Sequence, residues 1–140
     1  MYIRFVCSKE HPTADGELGM FTARQEIDFS VLRGSIRKAH EEAFYWFSVN
    51  GGGGLVFPKL KGKHRKSNVR KSLFWFRADA NFWGHEKGSV VRRARELAKV
   101  ITEAGVEIRE IKVNDPGIII WEDTKQVLAL PKAGRTPRAF

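Results

Sequence analysis

The alternation in Tyr2-Ile3-Arg4-Phe5-Val6-Cys7 places Ile3, Phe5 and Cys7 on one side of a strand built from β-branched and aromatic residues. Ser8 to Gly19 carries proline, glycine and charges and reads as a loop, and Met20 to Phe29 has no decisive period. Leu32, Ile36, Ala39, Ala43 and Phe47 then recur at spacings of three and four, which predicts a helix from about Ser30 to Phe47 with Ser30 as its cap. Asn50 and the run Gly51 to Gly54 are expected to end it, because glycines lose much backbone entropy when fixed in a helix. That run lacks the Gly-Lys-Ser/Thr ending and the strand-to-helix setting of a P-loop.

Further on, Leu73-Phe74-Trp75-Phe76 fits either a buried strand or the start of a helix. Val90, Val91, Ala94, Leu97, Ala98 and Ile101 form an apolar stripe that predicts a second helix, with Ser89 as N-cap and Gly105 at the C-terminal end. Val106 to Val113 is strand-like, yet its apolar residues change face between Ile108 and Ile111, the mark of a bulge or of a strand with two surroundings. Asn114-Asp115-Pro116-Gly117 reads as a turn, and Ile118 to Trp121 and Gln126 to Leu130 as two strands joined through Glu122 to Lys125. The expected fold is α+β: an N-terminal strand, two main helices and a C-terminal three-stranded antiparallel meander, with the helices packed on one face of the sheet.

The chain has 140 residues, 42% of them hydrophobic, including 10 Phe and 4 Trp, which fits one domain with a real core. We assign residues 1–131 to that domain, with a glycine-rich and basic insertion at 51–72, and 132–140 to a basic, loose tail. No apolar run approaches the length of a membrane span. Met1 to Cys7 meets Lys9 and Glu10 directly and does not read as a signal peptide. A lone cysteine, Cys7, forms no internal disulfide, and a cytoplasmic location fits best.

Charge adds a functional clue. The net charge is +9, and no carboxylate falls between Glu42 and Asp79, where Lys59, Lys61, Lys63, Arg65, Lys66, Arg70, Lys71 and Arg77 gather. Arg92 and Arg93 add cations early in the second helix, where the helix dipole disfavours them. Phosphate neutralisation by such residues releases condensed counterions and gives salt-dependent binding. These residues are therefore the expected contacts of a non-catalytic nucleic-acid-binding protein, with DNA and RNA equally open. Phe57, Phe74, Trp75 and Phe76 are candidate stacking platforms for unpaired bases, although a Phe-Trp-Phe run more often packs in a core. The alternatives are a regulatory module that docks the same loop on an acidic protein surface, an anionic membrane surface as target, and a solvated loop that serves solubility.

Ile3-Arg4-Phe5-Val6, Phe21-Thr22-Ala23-Arg24, Trp46-Phe47, Trp75-Phe76, Gly105-Val106 and Pro116-Gly117-Ile118, closing with Trp121-Glu122-Asp123 and Gln126-Val127, form a series that spans most of the chain. It resembles a group of small uncharacterised bacterial proteins. The resemblance implies a bacterial α+β protein and carries no activity, cofactor or site. The lysine-rich stretch and the four-glycine run stand outside the shared pattern.

Other chemistry is weaker. Asp115 with Asp123-Thr124-Lys125 superficially matches a metal-dependent nuclease, but a tight turn and a hairpin connection are the wrong places for those carboxylates, and turn formation explains them. His11, His40, His64 and His85 are scattered, and neither His40 nor His85 makes the His-Glu-x-x-His pattern of a zinc site. Cys7 sits on the inward face of its strand and reads as a buried, inert thiol. No catalytic residue, metal or cofactor is assigned.

Overall fold

The computed structural model describes residues 1–47, 70–80 and 89–132. In chain order the described elements are β1 (Tyr2–Glu10), β2 (Glu17–Gly19), α1 (Met20–Ala23), α2 (Gly34–Tyr45), β3 (Leu73–Arg77), α3 (Ser89–Glu103), β4 (Arg109–Val113), β5 (Ile118–Glu122) and β6 (Gln126–Leu130). The class is mixed α+β, with an antiparallel sheet of six strands among the described residues.

β1 is the strand on which the sheet is assembled. Tyr2 through Val6 pair with Val113 through Arg109 of β4. Tyr2 and Ile3 also pair with Arg77 and Phe76 of β3, and Val6 and Glu10 pair with Gly19 and Glu17 of β2. A strand has only two edges, so β2 and β3 share the edge of β1 opposite β4, one after the other. Beyond β3 the sheet continues through β6 to β5, which forms its far edge and exposes Ile118 and Ile119.

The expected C-terminal meander is not formed. β5 and β6 do make an antiparallel hairpin, but β4 lies against β1 and does not pair with β5. The cause is the helix before it. Val106 and Ile108 pack with the helix-side cores, and Arg95 of α3 donates to Glu110 of β4 at 2.8 Å, so the chain leaving α3 is delivered to the open edge of β1. The face change seen in the sequence is real and needs no bulge in the pairing with β1. Val106 and Ile108 face the helices, whereas Ile111 and Val113 join a cluster on the other face.

The main core lies between sheet and helices. Ile3 and Phe5 of β1 and Phe76 of β3 meet Met20, Phe47 and the α3 stripe Val90, Val91, Ala94, Leu97, Ala98 and Ile101, all buried. The stripe predicted for α3 is the buried face of that helix in full. Gly105 follows it at φ +109°, where a side chain is strained. A second cluster, built on Val6, Leu73, Trp75, Ile111, Val127 and Ala129, gathers residues of β1, β3, β4 and β6. This resolves Leu73 to Arg77 as a strand, since its residues serve both clusters by turns.

Two expectations for the N-terminal half are corrected. Ser8 to Gly19 is not all loop: β1 runs on to Glu10 and Glu17–Gly19 is a short strand. α2 begins at Gly34, and Ser30 does not cap it. Ser30 donates its N–H to Asp28 Oδ1 at 3.0 Å in a 3₁₀ turn over Phe29–Val31, after which Leu32 and Arg33 are extended. The buried residue of α2 is His40, set edge-on to Phe29 at 5.1 Å, while Ala39 of the expected stripe faces solvent. The glycine run, most of the basic insertion and nearly all of the tail lie outside the described residues.

Candidate functional site

Between Ile3↔Phe76 and Val6↔Gly19 the edge of β1 passes from one partner strand to the other. Arg4 sits at this fork, only 4% exposed. Its Nε donates to the Phe74 carbonyl at 3.1 Å and its Nη2 to the Glu17 carbonyl at 2.8 Å, so the guanidinium links β3 and β2 where β1 pairs with neither. The planar fork of arginine suits two divergent acceptors. The guanidinium also lies 5.5 Å from the ring centre of Trp75. Nη1 is buried without a hydrogen-bond partner. Burial lowers the pKa to about 10, partly opposed by Glu17, so the group stays a cation at neutral pH.

A cavity of about 750 Å³ opens at this fork. Its volume falls in the range of small-molecule sites, roughly 300 to 1,000 Å³. Among the described residues its lining holds three arginines, Arg4, Arg24 and Arg70, and no carboxylate. One group in the lining is polar, Arg4, His11, Thr13, Arg70 and Ser72; another comprises α1, Arg24 and the rings of Phe21, Phe44 and Phe47.

The polar group is ordered by a backbone turn. His11 Nδ1 accepts from the N–H of Ala14 at 2.8 Å and of Thr13 at 3.1 Å, which leaves Nε2 to carry the hydrogen of the neutral ring. Burial and then the charge of Arg4 lower the His11 pKa, favouring that neutral form. The Thr13 hydroxyl donates to the Arg70 carbonyl, which ties the C-terminal end of the basic stretch to this turn.

In the aromatic group, the Arg24 guanidinium carbon lies over Phe44, 3.7 Å from the ring centre. Arg24 Nε donates to His40 Nε2 at 3.4 Å. Burial lowers the Arg24 pKa. Phe21 meets Phe47 edge to face at 5.3 Å. Phe21 and Phe44 are only half-buried.

Only part of the set singled out by charge falls among the described residues. Lys59, Lys61, Lys63, Arg65 and Lys66 lie outside the described residues, as do Phe57, His64 and His85. Arg70 lines the cavity and Lys71 is exposed beside it. Arg77 is engaged within the fold: it forms an ion pair with Glu122, and its Nε donates to the Asp123 carbonyl at 2.9 Å. Arg92 and Arg93 are exposed on α3, away from the cavity lining, and Arg93 covers Trp46 at 5.3 Å and pairs with Glu96 at 3.6 Å. Of the candidate platforms, Trp75 and Phe76 are buried and Phe74 is half-buried; all three contribute to the lining.

The carboxylates tested for metal chemistry hold turns. Asp115 Oδ1 accepts from Gly117 N and its other oxygen pairs with Lys132, while Asp123 Oδ1 accepts from the N–H groups of Lys125 and Gln126. Among the described residues no group of three or more His, Cys, Asp or Glu is placed to hold a metal. Cys7 is buried with Leu18 and Ala23. No helix among the described residues is long and apolar enough to cross a membrane.

Sequence reasoning missed Arg4, His11 and Arg24. Arg4 did leave a signal, a charged residue inside an otherwise apolar strand. No family model, curated protein or solved structure matches the chain.

Proposed function

We propose that the protein binds nucleic acid without transforming it, through phosphate contacts from Lys59, Lys61, Lys63, Arg65, Lys66, Arg70 and Lys71, with Arg92 and Arg93 adding to the cationic surface. The observation that carries this reading is the cavity lining, in which Arg70, the end of the basic stretch, stands with Arg4 and Arg24 and no carboxylate among the described residues. Cations gathered without carboxylates in a concave site focus the field on an incoming anion. Arg77 is a poorer phosphate ligand than its charge suggests, because Glu122 and the Asp123 carbonyl engage it.

The test is a salt series of binding to single- and double-stranded polymers with wild type and a variant carrying Lys61→Glu, Lys63→Glu, Arg65→Glu and Lys66→Glu. The reading expects the variant to lose binding and the salt dependence to flatten. Equal affinity of the two proteins at moderate salt overturns it. A stoichiometric protein partner recovered from nuclease-treated lysate, with no polymer binding in dilute buffer, replaces it by docking on an acidic protein surface.

A further inference from the structure

Nucleic-acid binding by surface cations needs no cavity, and the fork between β2 and β3 contains one. We infer that this cavity is a nucleotide pocket, which takes one unpaired nucleotide with its phosphate toward Arg4, His11 and Arg70 and its base against Phe21 and Phe44. The inference rests on the nucleic-acid reading and names what that reading leaves open, the chemical unit recognised.

Three observations converge on a ligand that is anionic at one end and flat at the other. The first is Arg4. The residue is 4% exposed, two of its nitrogens are held by the Phe74 and Glu17 carbonyls, and Nη1 has no partner. A buried cation is costly, and an anion entering the cavity adds to the offset that Glu17 already gives its charge. The second is the neighbourhood of that charge. The hydrogen of neutral His11 belongs on Nε2, because Nδ1 accepts two backbone N–H groups, and Thr13 fixes the backbone of Arg70 beside it. The third is the aromatic part of the lining. The Arg24 guanidinium over Phe44, beside the half-buried Phe21, makes a partly cationic aromatic surface, and stacking on aromatic rings tolerates any base.

Neither half alone accounts for the site. Inorganic phosphate satisfies the Arg4 side and leaves the aromatic wall empty. An apolar ligand covers the aromatic wall and leaves the arginine charges of the lining without an anion. Gln25, an exposed residue of the lining, brings an amide group able to meet the hydrogen-bonding edge of a base. A base paired within a duplex presents neither face to such a wall, so the pocket favours single strands.

The nucleotide has two sources, free in solution or unpaired within a polymer, and the experiment separates them. Calorimetric titrations use AMP, UMP, ribose 5-phosphate and inorganic phosphate, followed by single- and double-stranded oligonucleotides, on wild type, Thr22→Trp and Arg70→Glu. Thr22 and Arg70 are exposed positions of the lining, so both variants are expected to keep the wild-type urea midpoint, and either serves if the other fails to fold. The expected result is saturable binding of AMP and UMP that is at least about tenfold tighter than ribose 5-phosphate. Thr22→Trp, which fills the space beside the aromatic wall, should weaken the nucleotide and the single strand about tenfold and leave the duplex unchanged. Arg70→Glu should weaken every phosphate-bearing probe.

Equal affinity for AMP and ribose 5-phosphate overturns the pocket, as does a Thr22→Trp protein with wild-type preference for single strands. Salt-dependent polymer binding that persists in either case leaves the basic-stretch reading standing without the pocket. Saturable mononucleotide binding with no polymer binding does the reverse: it keeps the pocket, assigns it to free nucleotides and rejects the polymer reading.

Discussion

Arg4 on β1 donates from Nε to the carbonyl of Phe74 on β3, 3.1 Å away, just past the point where the two strands stop pairing. One side chain thus stands in for a missing rung of the ladder and reaches the Glu17 carbonyl as well. Replacing it by methionine leaves two carbonyls without their donor. Arg4→Met is expected to lose about 2 to 4 kcal/mol of stability in urea unfolding. Arg4→Lys should recover little of it, since an ammonium lacks the planar geometry that serves both acceptors. A lysine variant as stable as wild type would falsify the bridging role.

His40 predicts how stability varies with acid. The ring is 1% exposed, lies against Phe29 and Phe44, and accepts from Arg24 Nε. Burial, with the Arg24 charge second, lowers its pKa beneath the ordinary 6.5, and Glu41 only partly opposes this. As the pH falls below 6.5, the unfolded chain takes up this proton while the folded chain does not, so stability declines through that window. His11 shifts in the same direction and adds to the decline. The urea midpoint should therefore fall between about pH 7.5 and about pH 5, and fall less in His40→Gln, which keeps an acceptor for Arg24 but does not titrate. An undiminished drop in the variant removes His40 from the account.

Gly117 and Gly34 make a contrasting pair. Gly117 has φ +115°, and a Cβ there would lie 2.1 Å from the Leu130 carbonyl oxygen. Gly117→Ala should cost about 2 kcal/mol or more and spoil the start of the β5–β6 hairpin. Gly34 opens α2, and a Cβ added to it would meet nothing within 4 Å. Gly34→Ala should therefore be neutral or stabilise by up to about 1 kcal/mol. Thermal unfolding of the two variants side by side checks both signs.

Arg77 separates charge from function. Its contacts with Glu122 and the Asp123 carbonyl join the end of β3 to the β5–β6 connection. Arg77→Gln should lower stability by about 1 kcal/mol. Its effect on polymer affinity at moderate salt should be small beside that of reversing Lys61, Lys63, Arg65 and Lys66. A loss of binding as large as that of the fourfold reversal, with stability unchanged, assigns Arg77 to the interface instead.

The legible parts of this fold are those in which one surface decides the residue choice. α3 announces itself because Val90, Ala94, Leu97 and Ile101 all meet the same buried sheet face. α2 is harder, since Leu32 continues its spacing but belongs to an extended segment set by the Asp28–Ser30 turn, and because its buried residue is the polar His40. The partner of β4 is invisible locally, because its pairing depends on where α3 delivers the chain. The same holds for the cavity. Charge spacing led to Arg70, but nothing along the sequence brings Arg4, His11 and Arg24 beside it, and only the fork between β2 and β3 does so.

β1 precedes every strand with which it pairs, and its longest pairing joins Tyr2 to Val113. During synthesis it must stay unmated on that edge until β4 emerges from the ribosome, exposing Ile3, Phe5 and Val6 to other chains in the meantime. Closing so distant a contact is slow, which gives translation speed and chaperone supply more influence on the yield of folded protein than its modest length suggests.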